Sequence, residues 1–290
     1  MNKKRIISII LAITIVTSAL AILSGCNTKT YNDTIKYVIE DNGEITITEY
    51  TDKTYITEVD IPDEIDGHPV TKIADFGVVN AESIRLIKIG KNVKEIGDWA
   101  FTNNQNLDAF EVSPENEYFV SVDGVLFTKD MKKILFYPCG KGSELSKKME
   151  VLQYASYVIP EGVEVIGEHC FWECYYVESL TLPSTLKVIE EKAFYAMSAL
   201  KGITLPEGLE VIEKDVFTNC NNETFSSIVI PSTIREIGDF AFYNCGNIKE
   251  ITINRVESEI TFGNKWYPTN EGRKIKELVI TCAGQKYNVK

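Results

Sequence analysis

The groups in this sequence that could do chemistry are two histidines, His68 and His169, seven cysteines and 42 Asp and Glu side chains. A multi-histidine metal site needs more than this. His169, Cys170 and Cys174 are ligand types, but they lack a fourth member and a zinc-finger spacing, so no metal site is expected. His68 lies in an Asp66-Gly67-His68-Pro69 turn, and no Gly-x-Ser-x-Gly elbow accompanies either histidine. Gly140-Lys141-Gly142-Ser143 faintly resembles a phosphate loop, yet no glycine lies five residues before Gly140 and no Rossmann-type strand leads into it. It reads as a turn containing a lysine. A glycosidase needs only two carboxylates, but Glu161, Glu164, Glu168, Glu190, Glu191, Glu207, Glu210 and Glu213 recur at matching offsets. Such recurrence marks a solvated face, whereas a catalytic pair would break the pattern in one place. No catalytic residue, metal or cofactor is therefore expected. The formal charge of −12 argues against nucleic acid, whose phosphates are held mainly by Lys and Arg, and against a basic surface docking on anionic lipid.

The N-terminus carries its own chemistry. Lys3-Lys4-Arg5 is followed by an apolar run from Ile6 to Ile22, broken only by Ser8, Thr14, Thr17 and Ser18. This is the layout of a secretory signal. The four residues after it, Leu23-Ser24-Gly25-Cys26, resemble the lipobox of bacterial lipoproteins. That resemblance implies cleavage before Cys26 and a diacylglyceryl group on its thiol, an anchor stable enough to hold the chain at the outer face of the membrane. A plain signal peptide or an uncleaved anchor is the alternative, because the run is almost long enough to span a bilayer. Without residues 1–25 the chain has 27 basic against 42 acidic side chains.

The remainder repeats. Ile159-Pro160, Leu182-Pro183 and Leu205-Pro206 are spaced by 23, and Ile230-Pro231 follows after 25. Phe171, Phe194, Phe217 and Phe242 keep the same steps, with Val163/Ile166, Leu186/Ile189, Leu209/Ile212 and Ile234/Ile237 between them. Looser units contain Val70, Ile73 and Phe76, then Val93, Ile96 and Phe101. Each unit ends in an alternating triplet such as Ile228-Val229-Ile230, whose outer residues point inward and whose middle residue faces solvent. One unit is too short to enclose a core, but stacked units bury a continuous column. The proline after each triplet fits where the ladder stops. The Ala-Phe pair, as in Ala193-Phe194, is expected to begin a short helical turn that drives the aromatic inward.

The pattern Ile-Pro-x-x-Val-x-x-Ile-x-x-x-Ala-Phe-x-x-Cys resembles the BspA-type leucine-rich repeats of bacterial surface proteins. The opening Ile61-Pro62-Asp63-Glu64-Ile65-Asp66-Gly67-His68-Pro69-Val70 resembles the usual first unit of that family, and Asp123-Gly124-Val125-Leu126-Phe127 with Tyr137-Pro138 resembles an insertion it often carries. The resemblance implies a repeat solenoid: a right-handed leucine-rich-repeat-like coil with a parallel β-sheet on one side and short helical turns or irregular segments on the other. It also implies a secreted or surface-attached binding protein, and it carries no common catalytic residues.

The expected order is a signal segment at 1–25, a tether at 26–34, a hairpin cap at 35–60 with a primed turn at Asn42-Gly43, and a solenoid over 61–253. Within the solenoid, residues 113–158 read as a three-stranded meander, and 254–290 as an irregular last repeat or cap. Capping is the first reading of Phe262, Trp266 and Tyr267, and a ligand pocket the second. Cys174, Cys220 and Cys245 each lie three residues after a repeat Phe and are expected to form a buried unpaired row, with a Cys220–Cys245 bridge as the alternative. Cys170 takes the slot of Ala193.

On the strand face, Lys88, Glu111, Thr181, Thr204, Val229, Thr252 and Val279 are expected to form one solvent-facing row, flanked by Ser179, Gly202, Ser227, Glu250 and Glu277. A broad, shallow strip of this kind suits an extracellular protein or glycan better than a small molecule, which prefers enclosure. Threonines would also stand there simply because they fit strands. The expected function is a non-catalytic recognition or adhesion scaffold. The alternatives are a surface hydrolase working at an irregular segment and a transporter-associated binding lipoprotein, though the latter calls for a cleft between lobes.

Overall fold

The computed structural model describes residues 28–51, 53, 55–142, 155–270, 273–275 and 277–287. The signal segment and Cys26 lie outside the described residues. Each 23–25-residue unit forms one coil of a solenoid, and three separate ladders link one coil to the next. The first ladder is the strand face, where Ser227–Ile230, Glu250–Ile253 and Val279–Cys282 run parallel. Alternation of exposed and buried residues along Ser227–Ile230 follows from the two-residue period of a strand. Proline then turns the chain: the N–H groups of Leu186 and Leu209 donate to Pro183 and Pro206, each at 3.2 Å. The second ladder is an eight-stranded sheet of short rungs. Val165–Ile166, Val188–Ile189, Val211–Ile212, Glu236–Ile237 and Thr261–Phe262 stack parallel in it.

The third ladder departs from the sequence reading. No helix begins at the Ala-Phe pairs; the one helix among the described residues is a 3-10 turn at Glu257–Glu259. Instead His169 and Glu173, Lys192 and Ala196, Asp215 and Asn219, and Phe240 and Asn244 take left-handed backbone conformations, with φ between 55° and 66°. Such a conformation costs about 1–2 kcal/mol for a residue with a Cβ. Bonds between coils offset it. The Phe194 N–H donates to Val216 at 3.1 Å and the Ala196 N–H to Thr218 at 2.8 Å. Amides committed to the next coil are unavailable for helical bonds within their own.

Between the strand face and the other two ladders lies the column. Phe171, Phe194, Phe217 and Phe242 are wholly buried, with successive ring centroids 5.6, 5.3 and 5.1 Å apart. The segment without an Ala-Phe step is a meander of Phe119–Val122, Val125–Thr128 and Lys133–Phe136, turned at Asp123-Gly124 with both residues at positive φ. It is a wall shared by two cores. Leu126 belongs to the N-terminal cluster, whereas its neighbours Val125 and Phe127 belong to the C-terminal one. Lys133–Phe136 then runs parallel to Val165–Ile166 as an ordinary rung. Tyr137 extends the aromatic column, its ring 4.8 Å from Phe171.

At the N-terminus, Ile35–Ile39 and Ile45–Tyr50 form the hairpin. Its loop is longer than a primed two-residue turn: Glu40 N–H donates to Glu44, Gly43 N–H donates to Glu40, and Gly43 alone is left-handed. The stretch read as a tether contains a strand, Lys29–Tyr31, paired to the hairpin. Ile45–Tyr50 lies parallel to His68–Ile73, so the cap closes the solenoid as its first rung.

Candidate functional site

Among the described residues the cysteines and histidines serve architecture. Cys139, which follows the meander, is bonded to Cys174, with Cα atoms 4.7 Å apart. Cys174 is therefore not a member of an unpaired row, because the returning meander brings a second thiol against it. Cys170, Cys220 and Cys245 are free and buried, so the alternative bridge between the last two is not formed. The Cys220 Sγ donates to the Phe194 carbonyl at 3.1 Å, and burial pushes its thiol up to about 12. His169 stands in the left-handed slot that Trp99 holds before the insertion, and the two rings pack with centroids 3.4 Å apart. Trp172 meets Trp99 edge-on at 4.6 Å and stacks on Tyr195 at 4.0 Å. This aromatic group joins the coils on either side of the insertion. His169 Nδ1 lies 3.4 Å from Glu168, but burial, then the nearby Lys192 charge, lowers its pKa to about 3. The ring is neutral, so the contact is not an ion pair. Among the described residues no group of three or more His, Cys, Asp or Glu side chains could hold a metal.

Repeated carboxylates form ladders of ion pairs between coils. Glu164 accepts from Lys132 at 2.6 Å and from Lys187 at 2.7 Å, and those two lysines hold its carboxyl down at about 2. Glu190 binds Lys133, and Glu210 binds Arg235. Glu164 and Glu210 are matched to cations of adjacent coils and Glu190 to one two coils away, while Glu161 and Glu207 accept from Ser184 and Ser232, all of it structural use.

The strand face contains the expected outward residues but divides them. Asp60, Lys88 and Glu111 are in register in one three-stranded sheet, and Lys88 is bound to Glu58, whose carboxylate raises its pKa. Val158 aligns with Thr181, and Ser156 with Ser179, in a separate pair of strands. Thr204 is exposed, but its coil forms no strand on this face; Gly202 there adds no side chain to a pleat and weakens pairing. Further on, Val229, Thr252 and Thr281 form one row, and Ser227, Glu250 and Val279 the next. Val279 and Glu277 were expected two positions out of this register; the true counterpart of Thr252 is Thr281, and Val279 takes the flanking place. The N-terminal half of the face is charged and internally paired. The C-terminal half is Ser, Thr and Val apart from Glu250, with Val158, Val229 and Val279 exposed by 65, 55 and 47%.

Residues 254–270 continue the rungs through Thr261–Phe262 and leave a recess of about 810 Å³ at the end of the solenoid, lined in part by Ile260, Phe262, Trp266 and Tyr287. Sequence reasoning placed a pocket here only second to a cap. The strand hairpin of Val279–Cys282 with Gln285–Lys286 covers part of the end, and the recess is the remainder.

Comparison with known proteins is consistent with this architecture. The family model for the BspA type leucine rich repeat region matches residues 25–135 and 149–267 in six copies. No curated protein matches the chain. A leucine-rich repeat protein from Eubacterium ventriosum is similar over 90% of this chain and 95% of its own, at 18% identity and a TM-score of 0.54. The pneumococcal vaccine antigen PcpA is similar over 87% of this chain and 89% of its own, at 20% identity and a TM-score of 0.49. A leucine-rich cell surface protein from Faecalibacterium prausnitzii is similar over 89% and 76%, at 20% identity and a TM-score of 0.45. The first of these shares the fold.

Proposed function

The chain belongs to the BspA-type leucine-rich repeat family, and from that premise we propose that it is a non-catalytic recognition scaffold at the bacterial cell surface. In this reading it is held through lipid on Cys26 and engages an extracellular protein or glycan through the C-terminal half of its strand face. The observation that carries the choice of face is the pair of rows Val229–Thr252–Thr281 and Ser227–Glu250–Val279. Val and Thr side chains have one heavy-atom rotor and lose little entropy when covered. Exposed valines on a fixed sheet offer apolar area to a partner, and the threonine hydroxyls offer both a donor and acceptors. The surface is shallow, which favours an extended macromolecular partner over a small solute. Among the described residues no helix is long and apolar enough to cross a membrane, and attachment in this reading comes from the acyl chains.

A photo-crosslinking residue at Val229, installed on intact cells, should capture one dominant partner, while the same residue at Lys187 on the second ladder should not. Equal capture at both positions argues against the strand face. Cys26→Ala should abolish incorporation of labelled fatty acid; labelling that persists refutes the anchor.

A further inference from the structure

The end of the solenoid carries unfinished hydrogen-bond ladders. In the inner coils the residue before each short rung and the second residue of the rung give their carbonyls to the next coil. Arg235 accepts from the Thr261 N–H at 2.8 Å, and Ile237 accepts from the Gly263 N–H at 2.7 Å. Their counterparts in the last coil are Ile260 and Phe262, whose carbonyls accept from nothing among the described residues. The turn ladder runs the other way: Phe240 and Phe242 donate their N–H groups to Asn264 and Trp266, both at 2.9 Å. The corresponding donors of the last coil, Lys265 and Tyr267, also have no acceptor among the described residues. Thr261–Phe262 is the outermost strand of its sheet. These four residues line the terminal recess, so unmet acceptors, unmet donors and apolar rings face one space.

We infer that this recess binds an extended, acidic peptide segment of another protein, which adds one further rung to the solenoid. Main-chain groups at a sheet edge recognise an extended backbone, and pockets beside them select alternate side chains. Here Phe262 and Trp266, 4.8 Å apart, with Tyr287 packed on both, form the apolar bed. The charge preference follows from Lys265 and Lys286. Both line the recess and neither has an ion pair among the described residues, whereas Glu257 is the one carboxylate in the lining. Inner coils match such cations with carboxylates of the neighbouring coil, as Lys214 with Glu191 and Lys187 with Glu164. A second copy of the chain is a poorer occupant. Its opposite end presents the strand Lys29–Tyr31, a Lys-Thr-Tyr segment that adds positive charge and no acid. This site is separate from the strand face proposed above.

The test uses a fluorescent peptide with the sequence of residues 208–219, an inner rung with Glu210, Glu213, Asp215, Ile212 and Phe217. In its own coil the Glu213 N–H donates to the Ile189 carbonyl at 3.0 Å, and in the recess it would donate to Phe262. Anisotropy titration against the full chain should give saturable binding. Methylating the Glu213 amide of the peptide should weaken it about tenfold or more, the cost of one lost main-chain bond with its acceptor left unpaired. The exposed double variant Lys265→Glu with Lys286→Glu should weaken it comparably with thermal unfolding unchanged, and Phe262→Asp should abolish it at a temperature where circular dichroism shows that variant folded. Val229→Lys with Thr252→Lys should leave it unaltered, which separates this inference from the strand-face reading. No saturable binding, equal binding of the methylated peptide, or equal binding by the charge-reversed variant overturns the proposal. So does concentration-dependent self-association that Phe262→Asp removes and the peptide fails to inhibit, which would assign the recess to a second copy.

Discussion

Truncating Phe194 to Ala measures whether the aromatic column holds the coils together. The ring is wholly buried and sits between Phe171 and Phe217, with centroids 5.6 and 5.3 Å away. Phe→Ala in a packed core costs about 3–5 kcal/mol, combining lost transfer energy with the cavity left behind. Two aromatic neighbours, each adding roughly 0.5–1.5 kcal/mol beyond burial, place Phe194 toward the upper end. Collapse is also difficult, because inter-coil bonds from Phe194 and Ala196 fix the backbone on the turn ladder. Phe194→Leu retains most of the volume and should cost under about 1.5 kcal/mol. Urea unfolding followed by far-ultraviolet circular dichroism is the assay. The midpoint should fall while the slope stays constant, since the surface exposed on unfolding is little changed. A loss below about 1 kcal/mol for the alanine variant would refute the reasoning, because no wholly buried ring packed between two aromatic neighbours is that cheap to remove.

The other expectations are more local. Cys139→Ser removes a bridge of sequence separation 35 and should destabilise by about 3–4 kcal/mol on loop-closure entropy, while Cys245→Ser should leave the response to reductant unchanged; denaturant midpoints with and without reductant check both. Glu164, held at about 2 in the fold against an ordinary 4.5, contributes stability that is complete above pH 4.5 and disappears as pH falls toward 2, so the stability gap between the wild type and Glu164→Gln should close across that window. His169 stays neutral in the fold down to about pH 3, whereas the unfolded chain takes up its proton near 6.5. Stability should therefore decline as pH falls from 6.5 toward 3, by on the order of a few kcal/mol. His169→Phe should flatten that decline in a pH series of unfolding midpoints, because Phe240 already occupies the equivalent left-handed slot.

What could be read in advance was whatever recurs in phase. The spacing of Phe171, Phe194 and Phe217 located the column because a buried position must be apolar in every coil. The turn ladder was not legible in the same way. Its first left-handed slot holds Trp99, His169, Lys192, Asp215 and Phe240, residue types that carry no signature for that conformation. Its second slot does carry a cue, for Asn80, Asn103, Asn219 and Asn244 stand there, and asparagine tolerates left-handed backbone better than most residues. The register slip at the last strand has a similar cause. Leu278-Val279-Ile280 looks like the usual triplet, but Ile280-Thr281-Cys282 is the one aligned with Ile251-Thr252-Ile253, because a buried cysteine fills the core slot as a small apolar residue. Cys139 was silent for another reason: its pairing depends on where the meander returns, which no local pattern encodes. At the terminal recess, Phe262, Trp266 and Tyr267 announced an irregular unit. The unmet carbonyls of Ile260 and Phe262 became visible only once each rung had a neighbour to be compared with.

The most direct test of the scaffold account is partner binding by the double variant Val229→Lys with Thr252→Lys. These neighbouring outward positions are in register on adjacent strands, and long charged side chains there should leave the column untouched. Cell-surface display of the wild type and the variant at matched density, followed by measurement of retained partner or of adhesion, gives the answer. The account expects an unchanged unfolding midpoint and loss of at least about nine-tenths of binding, the tenfold change that 1.4 kcal/mol produces. Full retention by the folded variant would contradict it and show that the strand face is scaffold alone.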